Sequence, residues 1–161
     1  MIGFRAVFGS AAVGLVILGS ARASLGAGSA PAVCGLVTRQ EAAAALGAPV
    51  PAGREKAMDV PMLGRMMKAQ FCFYGTEVSY ARYDLGDEAS ELFGKYRQSL
   101  VSDSDYQSVK GVGDEAFFAK GQLAMRKGRT GLIIDVGQAR GGGAKERAAE
   151  KSLALLALGR I

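Results

Sequence analysis

The chemistry open to this chain is limited first by a residue type that it lacks. The 161-residue sequence contains no histidine. That absence excludes serine–histidine–aspartate and cysteine–histidine catalysis, and any zinc or iron site built on histidine. It also removes the commonest general acid–base side chain. We therefore predict that the protein is not an enzyme, and its carboxylates, methionines, cysteines and cations are left as the groups that could do chemistry.

Paired carboxylates could serve a hydrolase as acid and base. Asp114 and Glu115 are adjacent, and Asp103 and Asp105 are separated by one residue. If Asp114 and Glu115 lie in a strand, we expect their side chains to point to opposite faces. Asp103 and Asp105 fall in a polar loop, where carboxylates commonly serve turns. A hydrolase without histidine is therefore kept only as a third functional hypothesis.

Four methionines offer thioether ligands over a short stretch. Met58, Met62 and Met66 are spaced by four residues, and Met67 follows. Thioethers suit copper(I) in an oxidising compartment. Pro61 interrupts the helix that would align them, and methionine often fills gaps against a core. A small-ligand or copper(I)-binding protein that uses this methionine-rich loop is the alternative hypothesis, and no cofactor is expected.

Cations gather at the tip of a predicted hairpin. Arg126, Lys127 and Arg129 could contact an acidic partner or lipid headgroups, although charge at a strand edge or tip also keeps a sheet soluble. Together with Asp114 and Glu115, they are the candidate binding residues of the sequence.

The first residues have the pattern of a signal peptide. Arg5 precedes the apolar run Ala6–Leu18, which is shorter than the ~18 residues that a membrane span needs. Ala21-Arg22-Ala23 predicts cleavage after Ala23. Cleavage removes two arginines and no acids, so the formal charge falls from +5 to +3, too little to predict a nucleic-acid partner. We expect a secreted or periplasmic monomer without a transmembrane span, the alternative being a leader kept as an anchor.

Two cysteines remain after that cleavage, Cys34 and Cys72. An even number of cysteines in an exported chain predicts one disulfide bond. Two free thiols and a soft-metal site are the alternatives.

Local patterns predict the elements of the first half of the chain. Thr38-Arg39-Gln40-Glu41 is a capping box that begins a short helix, and Gly47 ends it. We expect residues 50–67 to be irregular because they contain several prolines and glycines. Two strands follow, Ala69–Tyr74 and Glu77–Leu85.

The second half begins with a helix over Glu88–Val101, capped by Asp87. Its apolar stripe consists of Ala89, Leu92, Phe93, Tyr96 and Leu100. Three strands follow, at Ala116–Ala119, Gln122–Arg126 and Thr130–Gly137.

A break at Arg140–Gly143 then precedes a third helix, Ala144–Leu158. Glu150 is expected on its outer face. Its core stripe would use Ala148, Leu155, Leu156 and Leu158.

These patterns predict one α+β domain with about five antiparallel strands and helices mainly on one face of the sheet. The predicted order is α-β-β-α-β-β-β-α. Residues 1–23 form the signal peptide, residues 24–33 a flexible lead-in, and residues 34–161 the domain. We expect a partner on the second sheet face or in a groove beside the methionine-rich loop.

An ordered series of short motifs resembles a family of small exported proteins and lipoproteins of unknown function. The resemblance implies an exported α+β domain with a Cys34–Cys72 bridge, and it implies no known activity or ligand. The chain departs from the lipoprotein members because no lipobox precedes Cys34. The motifs are Cys34-Gly35-Leu36-Val37-Thr38, Glu41-Ala42, Leu46-Gly47, Cys72-x-Tyr74, Val112-Gly113-Asp114-Glu115-Ala116-Phe117 and Met125-Arg126-Lys127-Gly128.

The central motif also has a structural explanation. Gly113 permits a turn that a side chain would hinder, Asp114 can accept from the amides of that turn, and Phe117 or Phe118 enters the core. The sequence as a whole predicts an exported, non-enzymatic binding or envelope-accessory domain, with an envelope protein or a small ligand as its unknown partner.

Overall fold

The computed structural model describes residues 32–137 and 143–161. They form an α+β fold with a seven-stranded antiparallel sheet and three α-helices. The predicted signal peptide, most of the lead-in and most of the break at 140–143 lie outside the described residues. The elements are a 3₁₀ turn Val33–Gly35, α1 Arg39–Leu46, β1 Arg54–Met62, β2 Arg65–Tyr74, β3 Val78–Asp84, α2 Ala89–Leu100, β4 Gln107–Val109, β5 Glu115–Ala119, β6 Gln122–Lys127, β7 Thr130–Val136 and α3 Ala144–Leu158.

The strands lie in the order β1-β2-β3-β7-β6-β5-β4. The prediction of five strands and of the order α-β-β-α-β-β-β-α is wrong, because the described chain also contains β1 and the short β4. Residues 50–67 are not irregular: β1 and β2 pair along their whole overlap, from Arg54 opposite Phe73 to Met62 opposite Arg65. Pro61 is tolerated there because β1 is an edge strand. On the outer side of an edge strand, a missing N–H costs no hydrogen bond between strands.

The first face of the sheet carries the larger core. Residues paired across strands share a face, which places Cys72, Tyr80 and Ile134 in one row. The 3₁₀ turn, α1 and α3 cover this row, and α3 packs on β6 and β7. The core side chains of α3 are small, with Ala149, Ala154 and Ala157 around Leu153.

The segment Val33–Val37 is fastened to this face. The predicted disulfide bond is confirmed between Cys34 and Cys72, whose Cα atoms lie 5.1 Å apart. The Tyr74 hydroxyl donates to the carbonyl oxygen of Val37 at 2.5 Å. The Tyr80 hydroxyl donates to that of Val33 at 2.8 Å. These bonds satisfy carbonyl groups that would otherwise be buried without partners.

The capping box that begins α1 is confirmed. The Thr38 hydroxyl accepts from the Glu41 amide at 3.3 Å, and a Glu41 carboxylate oxygen accepts from the Thr38 amide at 2.7 Å. Gly47 ends the helix in the left-handed conformation, with φ of 74°.

The second face carries a smaller core under α2. Ala81, Phe117 and Ala124 lie on this face and pack with α2. Four residues of the predicted stripe are buried and Tyr96 packs beside them, as expected from their spacing. Two of the three described helices thus share the first face, and one lies on the second.

Two expectations about the helices are wrong. Asp87 does not cap α2: Glu88 holds the N-cap position without a side-chain bond, and Asp87 pairs with Arg129 at 2.9 Å. The α3 stripe is rotated from the predicted one: the side of the helix that meets the sheet consists mainly of alanines, whose small side chains allow a close approach. Its buried residues are Ala149, Glu150, Leu153, Ala154 and Ala157, whereas Ala148, Leu155 and Leu156 are exposed.

None of the helices described here has the length and apolar character that crossing a membrane requires.

Removal of the disulfide bond should destabilise the fold. The bond joins residues 38 positions apart, so its loss is expected to lower the free energy of unfolding by roughly 4 kcal/mol through denatured-state entropy. Urea unfolding with and without a reductant measures the difference. The double variant Cys34→Ser/Cys72→Ser is the control, since the reductant should leave it unchanged. An unaltered unfolding curve after cleavage of the bond, verified by mass spectrometry, contradicts the prediction.

Candidate functional site

The structure brings three of the five candidate binding residues together. Arg126 lies opposite Glu115 across β5 and β6. Its guanidinium donates to an Asp114 carboxylate oxygen at 2.9 Å and to a Glu115 carboxylate oxygen at 3.1 Å. Arg97 of α2 reaches the other Glu115 oxygen at 3.3 Å. Asp114 precedes β5, so the condition for divergence, that both residues lie in a strand, is not met, and both carboxylates contact Arg126.

The backbone around this ion-pair cluster explains the glycine before it. The Asp114 amide donates to the Arg126 carbonyl oxygen at 2.8 Å, and the Gly128 amide donates to the Asp114 carboxylate at 2.7 Å. A Cβ atom on Gly113 would lie 2.3 Å from the Arg126 carbonyl oxygen. The G-V-G-D-E-A-F motif therefore fastens the loop before β5 to the β6–β7 hairpin. A binding role for Asp114, Glu115 and Arg126 stays a prediction.

The other two cations of the predicted set lie apart from that cluster. Lys127 donates to the carbonyl oxygen of Leu158, the last residue of α3, at 3.0 Å. Arg129 pairs with Asp87 at 2.9 Å and lies within 3.9 Å of Asp84. Arg129 also lines the groove described below.

The second carboxylate pair has a turn role, as its loop position suggested. Asp105 accepts from the amides of Lys120 and Gly121 at 2.8 and 2.7 Å. These bonds, led by that of Gly121, lower the pKa of Asp105. They support a β5–β6 turn in which Lys120 has a φ of 53°, a conformation that is unfavourable for a side chain.

The methionine-rich stretch is the β1–β2 hairpin. Strand alternation places Met58, Met62 and Met67 on the second face and Met66 on the first. Met67 is buried, and Met62 packs against the second core, as gap-filling side chains do. Within 32–137 and 143–161, no three acidic or cysteine side chains are grouped as metal ligands would be. Copper(I) binding by the thioethers stays a prediction.

An open groove of about 860 Å³ lies on the first face. Its floor is the end of β1, β2, β3 and β7 that the 3₁₀ turn and α3 leave uncovered. Gln70 and Arg82 lie opposite one another there, two residues along from the buried pair Cys72 and Tyr80. We call this cavity the polar groove; its polar side chains are Asp59, Lys68, Gln70, Arg82, Asp84, Arg129, Thr130 and Arg160.

Hydrogen-bond donors dominate the floor of the polar groove. The Arg82 guanidinium donates to the Gln70 side-chain oxygen at 2.9 Å. Because that oxygen is engaged, the Gln70 NH₂ group is the part of the amide available to a ligand. Lys68 has no hydrogen-bonding or ion-pair partner within the described part of the chain. The arrangement favours acceptors, such as carboxylate or phosphate oxygens.

One rim of the polar groove is held by an ion pair. Arg160 donates to both carboxylate oxygens of Glu41, at 2.8 and 2.7 Å, and to the Leu36 carbonyl oxygen at 2.8 Å. The Arg160 bond is the main reason that the pKa of Glu41 falls to about 2. The pair joins the start of α1 to the chain beyond α3.

Sequence reasoning missed the floor residues of the polar groove, although a signal exists. On one face of β2, Cys72 and Tyr74 are followed outward by Gln70 and Lys68. β3 shows the same change, from Val78 and Tyr80 to Arg82 and Asp84. A face that turns from apolar to polar along both strands indicates that the core ends there.

A buried carboxyl lies away from the polar groove. Glu150 of α3 is 0% exposed, and one of its oxygens accepts from the Val136 amide at 3.1 Å. Its other oxygen has no partner among the described residues. Burial raises the pKa of Glu150 to about 8, assisted by the nearby charge of Asp135. The predicted outer-face position of Glu150 is therefore wrong.

The comparisons with known proteins leave the family open. No family model matches the sequence, and no curated protein or solved structure matches it. The fold and site define the class as an α+β protein with a seven-stranded antiparallel sheet and a donor-rich groove on one face. The resemblance drawn from the motifs stays a prediction.

Substitution of Gly113 should destabilise the fold far more than substitution of Gly111. Both glycines have positive φ, 60° and 77°, so Gly113→Ala and Gly111→Ala share a backbone cost of about 1 kcal/mol. Only the Gly113 Cβ meets the Arg126 backbone, whereas nothing lies within 4 Å of that of Gly111. We expect a further loss of about 2 kcal/mol for Gly113→Ala, measured by urea unfolding. Equal losses of unfolding free energy in the two variants would show that the contact between the new Cβ atom and the Arg126 backbone is relieved without cost.

The stability of the protein should fall as Glu150 ionises. Its pKa in the folded state, about 8, exceeds its ordinary value of 4.5, so the folded state binds the proton more tightly. That stabilisation is complete below pH ~4.5 and is lost as the pH rises towards 8, by up to roughly 1.4 kcal/mol per pH unit. Glu150→Gln removes this dependence, so its stability relative to wild type should rise over that range.

Urea unfolding at a series of pH values measures this difference. Glu146→Gln, on the same helix and partly exposed, is the control and should follow the wild-type curve. A constant difference between Glu150→Gln and wild type at every pH would refute ionisation of Glu150 as the cause.

Proposed function

We propose that the protein is an exported, non-enzymatic binding module that holds a small anionic molecule in the polar groove. The observation that carries the proposal is the charge of the lining, which has four cationic and two acidic side chains. The volume of about 860 Å³ lies in the range of roughly 300–1,000 Å³ that is usual for small-molecule sites.

The donors differ in how far they are already engaged. Arg129 and Arg160 are paired with Asp87 and Glu41, which partly neutralise them. Lys68 makes no ion pair within the described residues, and Asp59 lies opposite it across β1 and β2. The Gln70 NH₂ group lies two residues further along β2. A carboxylate or phosphate group placed between Lys68 and this NH₂ group would gain a charge-assisted hydrogen bond and a neutral one.

The side chains of the polar groove support binding more than catalysis. The floor residues Gln70 and Arg82 do not serve as general acids or bases, and the chain contains no histidine, the commonest one. Asp59, Asp84 and Lys68 are the charged lining residues of types that can transfer protons. The Cys34–Cys72 bond supports export, because disulfide bonds persist in oxidising compartments.

Neutralisation of Lys68 should weaken the binding of anions to the polar groove. Glycerol phosphate and succinate are suitable probes of the phosphate and carboxylate classes, with maltose as a neutral comparison. We expect the anions, and not maltose, to shift the NMR amide signals of Lys68, Gln70 and Arg82. Lys68→Gln should weaken binding about threefold or more, the effect of one solvated charge. The anion that binds more tightly indicates whether the ligand carries a phosphate or a carboxylate group.

The control is Lys56→Gln, which removes the same charge from β1. Lys56 lies opposite Phe71 and therefore on the second face of the sheet. It should leave binding unchanged. Signals that shift only beside the ion-pair cluster of Arg97, Glu115 and Arg126 would show that the polar groove is not the anion site. Equal weakening of binding by Lys68→Gln and Lys56→Gln would show the same.

A further inference from the structure

The β1–β2 hairpin continues past the rest of the sheet. β3 pairs with β2 only from Ala69 onward, so residues 59–62 and 65–68 pair with each other alone. Four residue pairs extend a ribbon by about 13 Å. We call Met62–Met66 the ribbon tip. Among the side chains near it, Val60, Met62 and Met67 pack against the second core.

The two remaining apolar side chains of the ribbon tip face solvent. Leu63 is 41% exposed and Met66 is 64% exposed. Both belong to the end of a hairpin that extends past β3 and whose second face packs against the second core. Leu63 and Met66 are therefore the apolar side chains that the ribbon tip offers to a partner.

The backbone of Leu63 strengthens that inference. Leu63 and Gly64 form a two-residue turn with φ values of 51° and 77°, a conformation that favours asparagine, aspartate or glycine at both positions. Lys120 adopts the same conformation at the β5–β6 turn, where Asp105 accepts its amide hydrogen. No described side chain supports Leu63 in this way. The leucine therefore weakens the turn, and its side chain is still 41% exposed.

The charges beside the ribbon tip set the kind of partner. Residues 59–68 contain Arg65, Lys68 and one acid, Asp59. Arg65 lies 3.7 Å from Glu88, in a solvent-exposed pair. The polar groove shares Asp59 and Lys68 with the ribbon and adds three arginines and one acid on the same side, Arg82, Arg129, Arg160 and Asp84. Two of these arginines are already paired with acids outside the groove. Basic groups beside a small apolar projection match the combination that binds anionic membrane surfaces.

We propose that the ribbon tip inserts Leu63 and Met66 into the interfacial layer of a bilayer that contains anionic lipid. Two apolar side chains are too few for a stable protein interface, which buries about 800 Å² on each partner. A bilayer interface accepts shallow insertion of about 5–10 Å, less than the length of the ribbon. The cations beside the tip would then face the headgroups. The proposal does not require the polar groove to hold a ligand.

Vesicle flotation tests the proposal with the protein purified after export, its N-terminus determined by mass spectrometry. All variants share that N-terminus, so its contribution cancels. Wild type should float with vesicles of phosphatidylcholine and phosphatidylglycerol, and less with phosphatidylcholine alone or in high salt. Leu63→Gln should reduce the bound fraction about tenfold. Leu155→Gln is the matched control: Leu155 is 48% exposed on α3, and its loss should change nothing.

A second substitution separates binding from folding. Leu63→Asn suits the turn conformation, so it should preserve or raise the melting temperature while it reduces flotation as Leu63→Gln does. Wild-type protein that stays unbound to both vesicle types would overturn the proposal. Equal reductions of the bound fraction by Leu63→Gln and Leu155→Gln would also overturn it. Concentration-dependent self-association that Leu63→Asn abolishes, without vesicle binding, would instead assign the ribbon tip to a second copy of the chain.

Discussion

The attachment of Val33–Val37 to β2 and β3 is the constraint on which the rest of the first face depends. One covalent bond and two buried tyrosine hydroxyls hold this segment against the sheet. Burial raises the pKa of Tyr74 and of Tyr80, so both hydroxyls keep their protons and remain donors at neutral pH. The segment in turn fixes where α1 begins, and α1 provides the surface on which α3 packs.

The same attachment decides where the sheet is left open. Arg160, which follows α3, pairs with Glu41 and donates to the Leu36 carbonyl oxygen. These bonds join α1 to the chain after α3 at the border of the covered part of the first face. Beyond that border the helices supply no apolar partner, and the strands change from apolar to donor-rich residues. The polar groove is thus the uncovered remainder of a sheet that is longer than the helices packed on it.

Much of the fold follows from local patterns in the sequence. Thr38 with Glu41 sets the start of α1, and the apolar spacing from Ala89 to Leu100 sets the buried face of α2, because both signals act within a few residues. The disulfide bond follows from the number of cysteines. Strand β1 could not be predicted this way, since whether Pro61 is acceptable depends on the position of its strand in the sheet.

The candidate site was harder to predict than the fold. Asp114, Glu115 and Arg126 have the residue types of a binding site, yet most of their charge is used by one another. Lys68, Gln70 and Arg82 have ordinary surface character in sequence and become a site only through cross-strand register. Glu150 is similar: its burial depends on which side of α3 meets the sheet, and an alanine-rich helix leaves that rotation undefined.

The two ends of strand β2 are held in the fold by different contacts. Near one end, Cys72 is anchored by a sulfur–sulfur bond, whereas the other end extends past β3 and has β1 as its single strand neighbour. An extended strand has almost no slack, since each residue already spans about 3.3 Å. A pull at the projecting end is therefore transmitted along the strand to the anchored cysteine. Lys68 and Gln70 lie on that line, and their separation is already close to the maximum that two residues of extended chain allow.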